Sequence, residues 1–177
     1  MKFSFIIAIL FLFSGASTQA QTLNPKLKSV GYVIGKWQVK AYRAKRDGSF
    51  NKPTTGKAEF STILDGTFIR GKVKTKGLTM FELIGVDPRS KELRLFALDK
   101  EFGVMDVYKG TLEGKNMRLS NLKSDALFVD KQGNAWAFRL NYTYQNNNEF
   151  SLLVEFSIDK GKTWKSFQKN VYSRVSG

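Results

Sequence analysis

The sequence predicts an all-β protein, a closed antiparallel up-and-down barrel of about ten strands, and three observations lead there. Apolar and polar residues alternate with a period of two along most of the chain after Trp37. No segment sustains a helical period over the roughly 11 to 18 residues that a helix reading needs. The alternating stretches are short, and turns rich in Gly, Asp and Asn separate them. A β-sandwich satisfies the same pattern and stays open as the alternative. Closure is preferred because it leaves no strand edge exposed.

Residues 1–20 carry the three parts of an export signal: Lys2, the apolar run from Phe3 to Phe13, and a small-residue stretch ending in Thr18-Gln19-Ala20. Cleavage is expected after Ala20. The run is about half of the roughly 20 residues that cross a hydrocarbon core, and no later stretch is apolar enough. The mature chain is therefore expected to have no transmembrane segment and to be periplasmic or secreted. Residues 21–177 fit one domain. Within them, Thr22 to Ile34 reads as a short helix or turn capping one barrel end.

The strands follow in order. Trp37, Val39 and Ala41 alternate with Lys36, Gln38 and Lys40, and Ala58, Phe60, Thr62 and Leu64 follow a turn-like stretch from Asp47 to Gly56. Asp65-Gly66 is a tight-hairpin signal, after which Ile69, Gly71 and Val73 alternate with Arg70, Lys72 and Lys74. Further candidates run Leu78 to Val86, Glu92 to Leu98, Val104 to Leu112, Asn116 to Asn121, Leu127 to Val129, Asn134 to Tyr144, Glu149 to Ile158 and Thr163 to Arg174. The clearest pair puts Trp136, Phe138, Leu140, Tyr142 and Tyr144 on one face, opposite Phe150, Leu152, Val154, Phe156 and Ile158.

Composition bounds the chemistry. The chain has no Cys and no His. That removes disulfides, Ser-His-Asp and Cys-His nucleophilic sites, zinc held by the usual ligands, and haem held by His. No catalytic residue, metal site or cofactor is assigned. A formal charge of +14, or +13 once Lys2 leaves with the signal, favours anionic partners. The 21 Lys and 8 Arg are spread over nearly every strand and turn, as on a solvated surface. No nucleic-acid motif is present. Arg94 and Arg139, set among apolar neighbours, are read as facing outward. Gly110 to Asn116 is one residue short of a phosphate loop and reads as a hairpin turn.

Gly35-Lys36-Trp37 resembles the Gly-x-Trp signature of lipocalins and related calycins. In that superfamily the Trp closes the barrel's base beneath an Arg of the last strand, which implies a structural pair of Trp37 and Arg174, joined by a cation–π contact of about 0.5–2 kcal/mol. The order Gly56-Lys57-Ala58-Glu59-Phe60, Leu64-Asp65-Gly66-Thr67-Phe68, Gly85-Val86-Asp87, Tyr108-Lys109-Gly110 and Ser157 to Trp164 is similar to a bacterial lipocalin-like family of undetermined function. Leu64-Asp65-Gly66 departs from its doubled glycine, and Gly85-Val86-Asp87 from its aromatic form. The resemblance implies a fold and no reaction. Ser157, Asp159, Gly161, Thr163 and Trp164 also match the Asp-box hairpin of sialidase-type propellers. A single copy reads as a structural hairpin staple.

Three functions are carried forward. The first is a lipocalin-like binding protein holding a small apolar or amphipathic ligand among Trp136, Phe138, Tyr142 and Phe156, with side-chain filling of the barrel as the competing account. The second is binding to an anionic envelope surface, glycan or lipid, through the basic stripe Arg70, Lys72, Lys74 and Lys76. The third is a glycan or lipid hydrolase using two carboxylates from Asp87, Asp99, Glu101 and Asp106.

Overall fold

The computed structural model describes residues 23–101, 103–125 and 127–175. The export signal expected at residues 1–20 lies outside them. Among the described residues the chain is a closed antiparallel barrel of ten strands, with one two-residue strand added outside the ring and one 3-10 helix, Pro25–Val33, in front of it.

The strands are β1 (Gly35–Arg43), β2 (Thr54–Ile63), β3 (Phe68–Thr75), β4 (Leu78–Val86), β5 (Leu93–Asp99), β6 (Val104–Glu113), β7 (Asn116–Ser120), β8 (Phe128–Val129), β9 (Ala135–Asn146), β10 (Glu149–Ser157) and β11 (Lys165–Arg174). Neighbours pair in sequence order up to β7, which pairs with β9. From there β10 joins β9 to β11, and β11 pairs with β1 to close the ring. The extra strand β8 pairs with the first two residues of β9. Closure gives each of the ten ring strands a partner on both sides, whereas β8 is paired only with β9.

Alternation sets the inner face. Trp37 and Val39 of β1, Ala58 and Phe60 of β2, and Ile69 and Val73 of β3 belong to one continuous core, with Ala41 and Gly71 buried on the same face, while the lysines between them face water. Arg94 and Arg139 face outward: Arg94 pairs with Asp87 at 2.8 Å and Arg139 with Glu155 at 2.7 Å. Lys76 falls just after β3, in the turn to β4, so it caps the row of Arg70, Lys72 and Lys74 without sharing their strand. In the hairpin from β2 to β3, Leu64, Asp65 and Gly66 all take positive φ (49°, 54° and 78°). The turn signal thus sits on the backbone conformation that favours a glycine at its end.

Candidate functional site

The two ends of the barrel differ. Inward residues in the middle of the barrel are buried; on several strands they become part-exposed toward the end opposite the 3-10 helix, and Val86, Leu112 and Tyr144 are likewise only partly buried at the helix end. On β9 the series Tyr142, Leu140, Phe138, Trp136 passes from buried to part-exposed, as does Phe150, Leu152, Val154, Phe156 on β10. Tyr172, Asn170 and Gln168 on β11, Ile84, Glu82 and Met80 on β4, and Tyr108 and Asp106 on β6 follow the same course. The 3-10 helix caps one end; the opposite end, with no helix over it among the described residues, is the mouth.

The capped end is aromatic. The Trp37 ring meets Phe150 edge-on at 4.7 Å, and Phe150 stacks on Tyr172 at 4.2 Å. Tyr32 of the 3-10 helix contacts Phe150 and Tyr144. The helix is pinned from both sides. Trp37 Nε1 donates to Val33 O at 2.7 Å, and the Arg174 guanidinium lies 4.2 Å from the Trp37 ring centre. That same guanidinium donates to the carbonyls of Tyr32, Ile34 and Asn147. Arg174 is opposite Trp37 in the register of β1 and β11, the arrangement that the lipocalin resemblance implies.

Between plug and mouth lies a polar layer that sequence reading did not find. Glu82 is 2% exposed and points into the barrel, where Tyr142 Oη donates to its Oε2 at 3.2 Å. Its cross-strand partners are Ala97, with a small side chain, and Gly71, whose missing Cβ leaves the space that the Phe60 ring fills. Burial raises the Glu82 carboxyl to about 7, the Tyr142 bond opposing that rise only in part. Burial followed by the nearby Glu82 charge pushes the Tyr142 and Tyr172 hydroxyls well above the ordinary phenol range. Tyr108 is pushed the same way by burial and then by Asp106, to whose Oδ2 it donates at 3.2 Å. On β11, Gln168 Nε2 donates to Asn170 Oδ1 at 2.8 Å. Asp106 Oδ1 and Tyr32 Oη are buried without a hydrogen-bond partner. Such groups cost on the order of 1–3 kcal/mol each when they stay dry.

The mouth carries a second aromatic cluster. Trp136 stacks on Phe156 at 4.6 Å, and Phe167 meets Phe138 at 5.4 Å and Phe156 at 6.1 Å. Arg43 lies 3.7 Å over Phe167. Asp130 orients the Trp136 indole by accepting from Nε1 at 2.9 Å. Trp136, Phe138 and Phe156 therefore sit together, all part-exposed, whereas Tyr142 is fully buried among the polar layer below them. Phe167 joins the cluster because the register between β10 and β11 slips after Val154, placing a residue outside simple alternation on the inner face.

The remaining sequence candidates lie elsewhere. Ser157, Asp159, Gly161, Thr163 and Trp164 bind one another in the loop from β10 to β11: Asp159 accepts from Ser157 Oγ, from Thr163 N and from Thr163 Oγ1, and Trp164 Nε1 donates to Gly161 O. Those bonds hold the Asp159 carboxyl far below the usual carboxylate range. Arg139 covers the Trp164 ring from the outer wall at 4.5 Å. Asp87 is occupied by turn amides and Arg94, and Glu101 accepts from Thr79 N. Asp99 and Asp106 occur at neighbouring inward positions of β5 and β6 near the mouth. Among the described residues no group of three or more carboxylates could hold a metal ion.

The model of a family described as a protein of unknown function, DUF1579, matches residues 27–174. No curated protein sequence matches the chain. In three dimensions it is similar to the crystal structure of Rv2717c from M. tuberculosis, with a TM-score of 0.60 and 13% identity over 88% of this chain and 100% of that one. It is also similar to an S-type phycobiliprotein lyase, CPES, from Guillardia theta, with a TM-score of 0.52 and 8% identity over 84% of this chain and 91% of that one. At such identities the likeness is one of fold.

Proposed function

We propose that this chain, which belongs to the DUF1579 family, is a binding protein that takes a small amphipathic molecule into the open half of its barrel. The observation that carries the reading is the uncapped end of the barrel: inward side chains on five strands are part-exposed there, where Trp136, Phe138, Phe156 and Phe167 cluster with no helix over them among the described residues, whereas the 3-10 helix packs on the other end. The apolar part of a ligand would lie on those rings. Its polar part would reach down to Gln168, Asn170 and the Tyr108–Asp106 pair, where Asp106 Oδ1 lacks a partner. A pocket of mostly apolar lining with a few convergent polar groups is the ordinary form of a small-molecule site. The lower half, filled by Trp37, Phe60, Phe150, Tyr142 and Tyr172, serves as a rigid floor. Export beyond the inner membrane belongs to this proposal and rests on residues 1–20 alone. N-terminal sequencing of the mature protein tests it, and an intact Met1 end in the exported fraction would refute cleavage after Ala20.

The test of binding is native mass spectrometry together with a thermal-shift screen against fatty acids and isoprenoids. A retained or added ligand should raise the melting temperature of the wild type and lose that effect in Phe156→Ala. If no probe shifts the wild type, or if Phe156→Ala responds equally, the reading fails.

A further inference from the structure

We infer that the outer face of strands β4, β5 and β6 docks on an anionic phospholipid bilayer. A water-facing barrel wall should alternate apolar inside with polar outside. These three strands do not: Phe81 and Leu83, Phe96 and Leu98, and Met105 and Val107 all point outward. They form two cross-strand rows, Phe81–Leu98–Met105 and Leu83–Phe96–Val107. Met105 is 61% exposed, Val107 39% and Leu98 38%, with Phe81, Leu83 and Phe96 half-buried beside them, so an apolar patch reaches the surface. Contiguous apolar patches of this kind mark interaction sites.

Charge selects the partner. Each row continues onto β3 as a cation, Lys72 beside Phe81 and Arg70 beside Leu83. A groove of about 660 Å³ runs along the first row, with Arg70, Lys72 and Lys100 at its walls and Glu59 and Asp99 also on its rim. Apolar surface edged by cations matches the boundary of an anionic leaflet, where acyl chains and phosphates meet. A second copy of this chain is a poor occupant, because it would bring another strongly basic body against the same stripe. The groove also takes in Met80 and Val104, which face the inside of the barrel at its mouth. Docking by this face therefore sets the edge of the mouth against the lipid.

Flotation of the full chain with vesicles of equal parts phosphatidylcholine and phosphatidylglycerol, compared with phosphatidylcholine alone, tests the inference. The wild type should prefer the mixed vesicles. Leu98→Gln with Met105→Gln should weaken partitioning by about tenfold. Arg70→Gln with Lys72→Gln, which leaves the apolar rows intact, should weaken it by about thirtyfold, and ~500 mM salt should do the same to the wild type. Lys165→Gln with Lys169→Gln, an equal change of charge on β11, should stay within about threefold. Melting curves establish that every variant folds. Equal partitioning of both groove variants and the wild type would overturn the inference. So would an equal loss in the β11 variant, or a wild-type dimer that Leu98→Gln with Met105→Gln converts to monomer.

Discussion

Replacing Glu82 by Gln should flatten the dependence of stability on pH between about 5 and 8. The Glu82 carboxyl is enclosed by the barrel, touches Tyr142, and is raised from its ordinary 4.5 to about 7. The unfolded chain releases this proton near its ordinary value, whereas the folded barrel keeps it until about pH 7. Across that window the folded state binds more protons, so its stability is greatest below the unfolded value and declines as pH rises, levelling above about 7. The gap corresponds to about 3 kcal/mol. With no His in the chain, the α-amino group is the main other titration nearby, and it cancels between variant and wild type. Gln keeps the shape and can still bond Tyr142. Urea unfolding followed by tryptophan fluorescence at several pH values should give a midpoint that falls for the wild type and stays level for Glu82→Gln. The variant should overtake the wild type by up to about 3 kcal/mol at the alkaline end. Parallel curves for the two proteins would refute the reasoning.

Arg174→Lys should destabilise the barrel by about 3 kcal/mol in urea unfolding, because an ammonium cannot donate to three carbonyls and cover an indole at once. Gly35→Ala should do comparable damage: Gly35 has φ of 135°, and a Cβ there would run into the Arg174 guanidinium. Asp159→Ala should lower the melting temperature above the ordinary carboxylate range and have less effect as the medium is acidified, because the wild type forfeits the benefit of its depressed carboxyl when that group is protonated. A melting-temperature gap that widens in acid would contradict this. Val154→Trp, at a part-exposed inward position beside the mouth, should abolish ligand-induced shifts while leaving the fold intact by circular dichroism.

Much of the fold was legible because its signals are local. The alternation in β1 and β3 and the Asp65-Gly66 turn need only a few neighbouring residues to be read, and each became the expected element. The Trp37 and Arg174 pair was reached through a family resemblance, since residues 137 apart share no local signal. The candidate site was less legible, for two physical reasons. β4 is apolar on both faces, so its period has no phase and nothing marked Glu82 as inward until β3 and β5 fixed the register. Phe167 enters the mouth through a slipped register, which a period of two cannot express. The aromatic residues of β9 were found by alternation, but one strand could not tell that Tyr142 lies below the opening and Trp136 within it.

The pairing of β1 with β11 has a consequence for how the chain is made. Those strands close the ring across almost the whole domain, so the largest loop-closure entropy falls due at the last step. No complete barrel can form until the C-terminal strand has left the ribosome. Until then the chain lacks the seam that makes the ring rigid.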